Sequence, residues 1–265
     1  MTRYIDRNLL EHLIWRPGET ITPPPPQPNH QNEPSLIEGT YILMPKTPTY
    51  AKGAHALREA CKAETDSPHP QFVLDDESRI YRPLTFKEDI EARVTDYENN
   101  KDTEERVRLF QRNDSCTGIV YKSNTAKFKI VPLCKELITI DEDFREASVA
   151  VEYDAIEGIE LDRAAGKYNV HLTKSEVLAH EGWRAAVEED LELLKTYRDI
   201  VFTETKKAAT MVFSVLDEPT PDQLKVLSTG YLSGNSDAYG SGDLSNGGHF
   251  LQVVPSGAPA GRGGV

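Results

Sequence analysis

The sequence predicts an α+β fold: a mixed, largely antiparallel sheet or pair of sheets with about five or six helices. Three observations carry this expectation. Strand-like runs and helix signatures follow one another irregularly, without the repeated βαβ rhythm of a doubly wound sheet. Two capping boxes, Thr85 to Glu88 and Thr173 to Glu176, mark helix starts by local chemistry alone. Short β-rich runs come in pairs joined by polar turns, as hairpins do.

The elements are expected in the following order. Ile5, Leu9, Leu10, Leu13 and Ile14 recur at near-helical spacing over residues 4–15, a helix too short to persist undocked. Residues 16–34 hold seven prolines and favour an extended polyproline spacer. The chain therefore divides into an arm (1–34), a single α+β domain (35–255, with a subdivision near 165–175) and a Gly-rich tail (256–265). Residues 40–44 read as a buried strand ended by Pro45, followed by a helix over 51–63. Residues 71–75 and 79–84 read as a hairpin. The helix opened by Thr85 carries Phe86, Ile90, Val94 and Tyr97 on one face, and Asp102 with Glu105 opens a shorter one.

Beyond these, GIVYK (118–122) and AKFKIV (126–131) form a hairpin through Ser123, Asn124 and Thr125. Strands are expected at 136–140, 149–153 and 211–216. One long helix after Gly182 would present Trp183, Val187, Leu191, Leu194, Tyr197 and Val201 as a single buried stripe. Thr220-Pro221-Asp222-Gln223 reads as a helix start and Gly230 as its stop. Residues 234–248 read as a turn-rich loop before a last strand in HFLQVV.

Composition narrows the function. The 265 residues carry a formal charge of −13, which disfavours nucleic-acid and anionic-membrane binding. No apolar run approaches the ~18 residues of a membrane span, and the start lacks a secretory signature. Three cysteines without a C-x-x-C pattern fit reduced thiols in a cytoplasmic, soluble protein. Phosphate-binding glycine loops, zinc spacings and hydrolase or kinase motifs are absent, so no cofactor is expected.

What remains is a short set of candidates. Cys116, in a polar Asp-Ser-Cys-Thr-Gly run before a strand, would serve as a nucleophile with His55 or His180 as base. An inert buried thiol and a surface histidine are the structural alternatives. Asp141 and Asp143, in the acidic stretch, and Asp237 and Asp243, in the Gly-rich run, are weak metal candidates, because neither spacing matches an EF-hand. The acidic stretch itself, residues 136–163, holds ten acids and two arginines, while residues 116–135 hold four lysines and no acid. The expectation is a non-enzymatic interaction or assembly protein, with a protein partner or self-association through its arm. The alternative is a hydrolase or transferase using Cys116 or a carboxylate-bound divalent metal.

Overall fold

A computed structural model describes residues 39–64, 82–205, 210–217, 219–232 and 235–255. The expected helix at 4–15, the proline segment, most of the first hairpin and the tail after 255 lie outside these residues. Among the described residues, β1 (Gly39–Leu43) pairs antiparallel with β9 (Leu251–Pro255), which sets the two ends of the fold side by side. A seven-stranded sheet runs in the order β5–β3–β2–β7–β8–β6, and β4 adds to β7. Its strands are β2 (Asn113–Tyr121), β3 (Lys127–Val131), β4 (Val149–Ala150), β5 (Ile159–Asp162), β6 (Thr210–Ser214), β7 (Gln223–Thr229) and β8 (Asn235–Gly242). Every pairing is antiparallel except that of β6 with β8. The helices are α1 (Tyr50–Glu64), α2 (Phe86–Asn100), α3 (Lys135–Ile138), α4 (Lys174–Val177), α5 (Glu181–Ala186) and α6 (Leu191–Glu204). The architecture is α+β, as the sequence predicts.

Alternation along the central strands builds two apolar clusters. Val120, Leu224 and Val226 face α1 and the β1–β9 pair, where Tyr50, Leu57 and Phe250 are buried. Ile119, Tyr121 and Leu227 belong to the other cluster, which receives Phe86, Trp183, Tyr197 and Phe213. Both capping boxes form: Thr85 with Glu88 opens α2, and Thr173 with Glu176 opens α4. The lysines of residues 122–129 pair with the acidic stretch. Lys122 reaches Asp154 at 2.9 Å and Lys127 reaches Glu160 at 2.6 Å, while Lys129 donates to Tyr153 O and Ile156 O.

Four expectations fail, each for a tertiary reason. In place of the strand expected over 136–140, residues 135–138 form the helix α3; Cys134 N–H bonds to Cys116 O just before it, and Leu137 and Ile138 are buried. The long helix after Gly182 is two helices, broken where Glu188 (φ 54°) and Glu189 (φ 63°) take left-handed backbone. Asp190 then caps α6 by accepting from Leu193 N–H, and the restart turns Leu191 outward, 44% exposed. Residues 223–229 are strand β7, not a helix. Asp222 is drawn to Ser123 N–H at 2.6 Å instead of capping a turn, and Leu224 and Leu227 are buried on opposite faces.

The Gly-rich run forms strand β8. Its residues Ser236, Ala238, Gly240 and Gly242 alternate toward a crowded face. A Cβ at Gly240 would lie 2.7 Å from Ile119 Cδ1 and from Ser214 O, so small residues there permit close packing. Residues 235–242 of the expected loop are thus a strand whose apolar signal is replaced by smallness, while 243–248 form the expected turn-rich stretch.

Candidate functional site

β2 and α2 meet through a fully buried arginine. Asp89 and Arg93 sit one turn apart on α2, and Arg93 Nε lies 2.9 Å from Asp89 Oδ2 without the alignment of a hydrogen bond. Arg93 Nη1 donates to Gly230 O at 2.9 Å and to Tyr197 Oη at 3.3 Å, while Nη2 donates to Gln111 O and Thr229 Oγ1. Asp89 also accepts from Asn113 Nδ2 and Thr229 Oγ1. Charge and polarity are almost fully matched inside the protein, which is the condition for burying them.

That network holds the residues that follow β7. Gly230 O is held by Arg93, Gly230 N–H donates to Asp237 O at 2.6 Å, and Leu232 N–H donates to Phe110 O at 3.3 Å. Between these pinned neighbours stands Tyr231, 46% exposed. Gly230 itself is required by close approach: a Cβ there would meet Asp237 N at 2.8 Å and Tyr239 Cε2 at 3.0 Å.

Next to Tyr231 lies a half-buried polar array on the other face of β8 from its small residues. The Arg112 guanidinium stands over the Tyr239 ring, 5.2 Å from its centroid. The Tyr239 hydroxyl interacts with the Asp237 carboxylate, and burial together with that carboxylate pushes its pKa up to about 12. Burial also raises the Asp237 carboxyl, against the lowering effect of Tyr239. Arg112 Nε and Asp237 Oδ1 are both shut off from solvent without a hydrogen-bond partner among the described residues. Asp114, behind Arg112, is turned inward to Ser228 Oγ at 2.7 Å and to the Gly248 amide. This patch sets the exposed Tyr231 ring beside Arg112, Tyr239 and Asp237.

The other sequence candidates fall elsewhere. Cys116 is fully buried in the middle of β2, not in a turn, and burial pushes its thiol up to about 12 despite Arg82 nearby. His180 is 6% exposed and caps α5: Nδ1 accepts from Trp183 N–H at 3.2 Å, so Nε2 carries the proton and donates to Lys167 O at 3.0 Å. Burial lowers its pKa, against the effect of the Lys167 carbonyl. His55 contacts Glu142 at 3.2 Å. The three do not share a contact. Asp141 accepts from Asp143 N–H, and Asp243 accepts from Ser245 N–H and Oγ, both local turns. Among the described residues, the acids and histidines do not gather into a group able to hold a metal ion. Asp237 is the one candidate that lies in the array.

Arg112, Tyr231 and Tyr239 are the residues that sequence reading missed. Tyr239 had a signal, the alternation of small residues with Asp237, Tyr239 and Ser241.

No protein-family description and no curated protein matches the chain. The fold is similar to that of a solved structure reported as "Accommodation of massive sequence variation in Nanoarchaeota by the C-type lectin fold". The two share 10% identity at a TM-score of 0.56, over 83% of this chain and 100% of the other. The chain thus has a C-type-lectin-like fold. No helix among the described residues is long and apolar enough to cross a membrane.

Proposed function

We propose that this chain is a non-enzymatic interaction protein that binds its partner through the outer face of β8, centred on Tyr231. The observation that carries this reading is an exposed aromatic between two backbone positions pinned by hydrogen bonds, one of them to a buried arginine. An aromatic already ordered in the free protein loses little entropy on binding, and Tyr and Arg are the side chains that dominate interface energies. The fold supports the reading by analogy alone: the nanoarchaeal structure is described as a scaffold that accommodates sequence variation, which suits a binding surface. The buried, high-pKa thiol of Cys116 gives the hydrolase or transferase alternative no support.

The proposal extends to assembly in the cytoplasm. Residues 1–34 act as an arm that docks on a neighbouring copy or partner. Deleting them is expected to change the molar mass measured by light scattering; an unchanged mass removes self-association from the reading. The binding surface is tested with the full chain on peptide and glycan arrays. Binding lost in Tyr231→Ala, at an unchanged denaturation midpoint, supports it. Binding indifferent to both Tyr231→Ala and Arg112→Met overturns it.

A further inference from the structure

The described arginines sort by what their guanidinium groups touch. Arg82, Arg93, Arg106, Arg108, Arg184 and Arg198 each lie against a carboxylate. Arg58 and Arg163 donate to backbone carbonyls, and Arg145 is exposed. Among the described residues, Arg112 is half-buried and makes neither contact; its guanidinium lies over the Tyr239 ring, and its charge is felt by the Asp114 carboxyl.

Its geometry is that of an open fork. Nε is closed off, and among the described residues the terminal nitrogens have no hydrogen-bond partner and are not among the buried, unpartnered atoms. The Tyr239 ring supports the guanidinium from one side and removes part of its hydration, which makes an added anion worth more than at a fully solvated arginine. The neighbouring acids are already engaged: Asp114 with Ser228 and Gly248, Asp237 with Tyr239. The two other ionisable rings nearby, His171 and His249, bond to Thr210 Oγ1 and Met44 O.

We infer that Arg112 is the carboxylate-recognition residue of this surface, and that its ligand is an acidic side chain of a protein segment whose neighbouring apolar group rests on Tyr231. The inference deepens the proposed function and rests on the β8 face being the binding surface. A planar guanidinium with two terminal nitrogens matches a carboxylate bidentately. A protein source is favoured over an acidic sugar because Arg112 already covers one face of Tyr239, which leaves exposed Tyr231 to meet a side chain.

The test uses the full chain labelled with 3-fluorotyrosine, the signals of Tyr231 and Tyr239 being assigned through Tyr→Phe variants. Four probes are titrated: the blocked peptide acetyl-Gly-Asp-Phe-Gly-amide, its asparagine counterpart, glucuronate, and the neutral methyl ester of glucuronate. The aspartate peptide is expected to shift both signals, with binding weakened about tenfold or more by Arg112→Met or by the asparagine peptide. Arg112→Lys is expected to restore part of the affinity. Equal titration by the two peptides, or indifference to Arg112→Met, overturns carboxylate recognition. A response to glucuronate alone overturns the protein source, and no response to any probe overturns the inference. The β8 face as binding surface fails separately, when array binding is indifferent to both Tyr231→Ala and Arg112→Met. Arg112→Met folding is checked by the retained fluorine spectrum of the buried tyrosines.

Discussion

Arg93 and Arg112 are both poised over aromatic rings, Arg93 at 5.4 Å from Phe110 and Arg112 at 5.2 Å from Tyr239. They flank the same strand entry, since Arg93 donates to Gln111 O, the residue before Arg112. The first is completely buried among Asp89 of α2, Gln111 O just before β2, Thr229 of β7, Tyr197 of α6 and Gly230 O after β7. The second is half-buried and, among the described residues, its guanidinium has no hydrogen-bond acceptor. One arginine closes the interior and the other opens onto solvent. The difference teaches how burial and partners divide identical side chains: the enclosed cation belongs to the frame, and the half-buried one is the residue proposed for recognition.

The comparison breaks most readily at Arg93. Arg93→Met leaves Asp89 buried without its cation and is expected to cost about 3–5 kcal/mol in urea denaturation. A loss near zero would show that the network does not frame the turn. Thr229→Val removes a hydroxyl shared by Arg93 and Asp89, with an expected cost of about 1–3 kcal/mol. Arg112→Met is expected to cost about 1 kcal/mol or less, because it gives up little beyond the ring contact. If Arg112→Met proves as costly as Arg93→Met, Arg112 is structural and the contrast disappears. Tyr231→Ala, at an exposed site, should stay within about 0.5 kcal/mol of the wild type.

His180 sharpens the same contrast through pH, as a third polar side chain committed to the interior. Its folded pKa lies below the ordinary value of 6.5, so the folded state holds its proton less tightly than the unfolded chain. The neutral ring contributes its full stability above about pH 6.5. That contribution is lost as pH falls through the unfolded value toward the folded one, because protonation removes the acceptor for Trp183 N–H. His180→Asn, which keeps a cap without a titrating ring, should flatten the denaturation midpoint over this window. A variant with the wild-type slope would assign the pH dependence to other groups.

Much of the fold was legible wherever the signal is local. The capping boxes at Thr85 and Thr173 are satisfied within four residues, so their sequence suffices. Lys127 and Lys129 alternate with Phe128 and Ile130, and the structure buries the latter pair at 1% and 0% exposure. The site was far less legible. Asp89 and Arg93 have the spacing of an exposed helix pair, and nothing in their order reveals that both are buried. Asp190 was available as a cap signal, but the stripe from Trp183 to Val201 concealed the break that turned Leu191 outward.

By itself the sequence determined the α+β class, the starts of α2 and α4, the β2–β3 hairpin and the alternating core of its strands. These follow from capping, period and turn chemistry, which act over a few residues. Only the tertiary structure decided that residues 223–229 and 235–242 are strands, because a strand is stabilised by partners far away in the chain. It alone decided which arginine is enclosed and which is left open. Desolvation depends on what packs around a group, and for Arg93 that packing comes from residues up to 137 positions away.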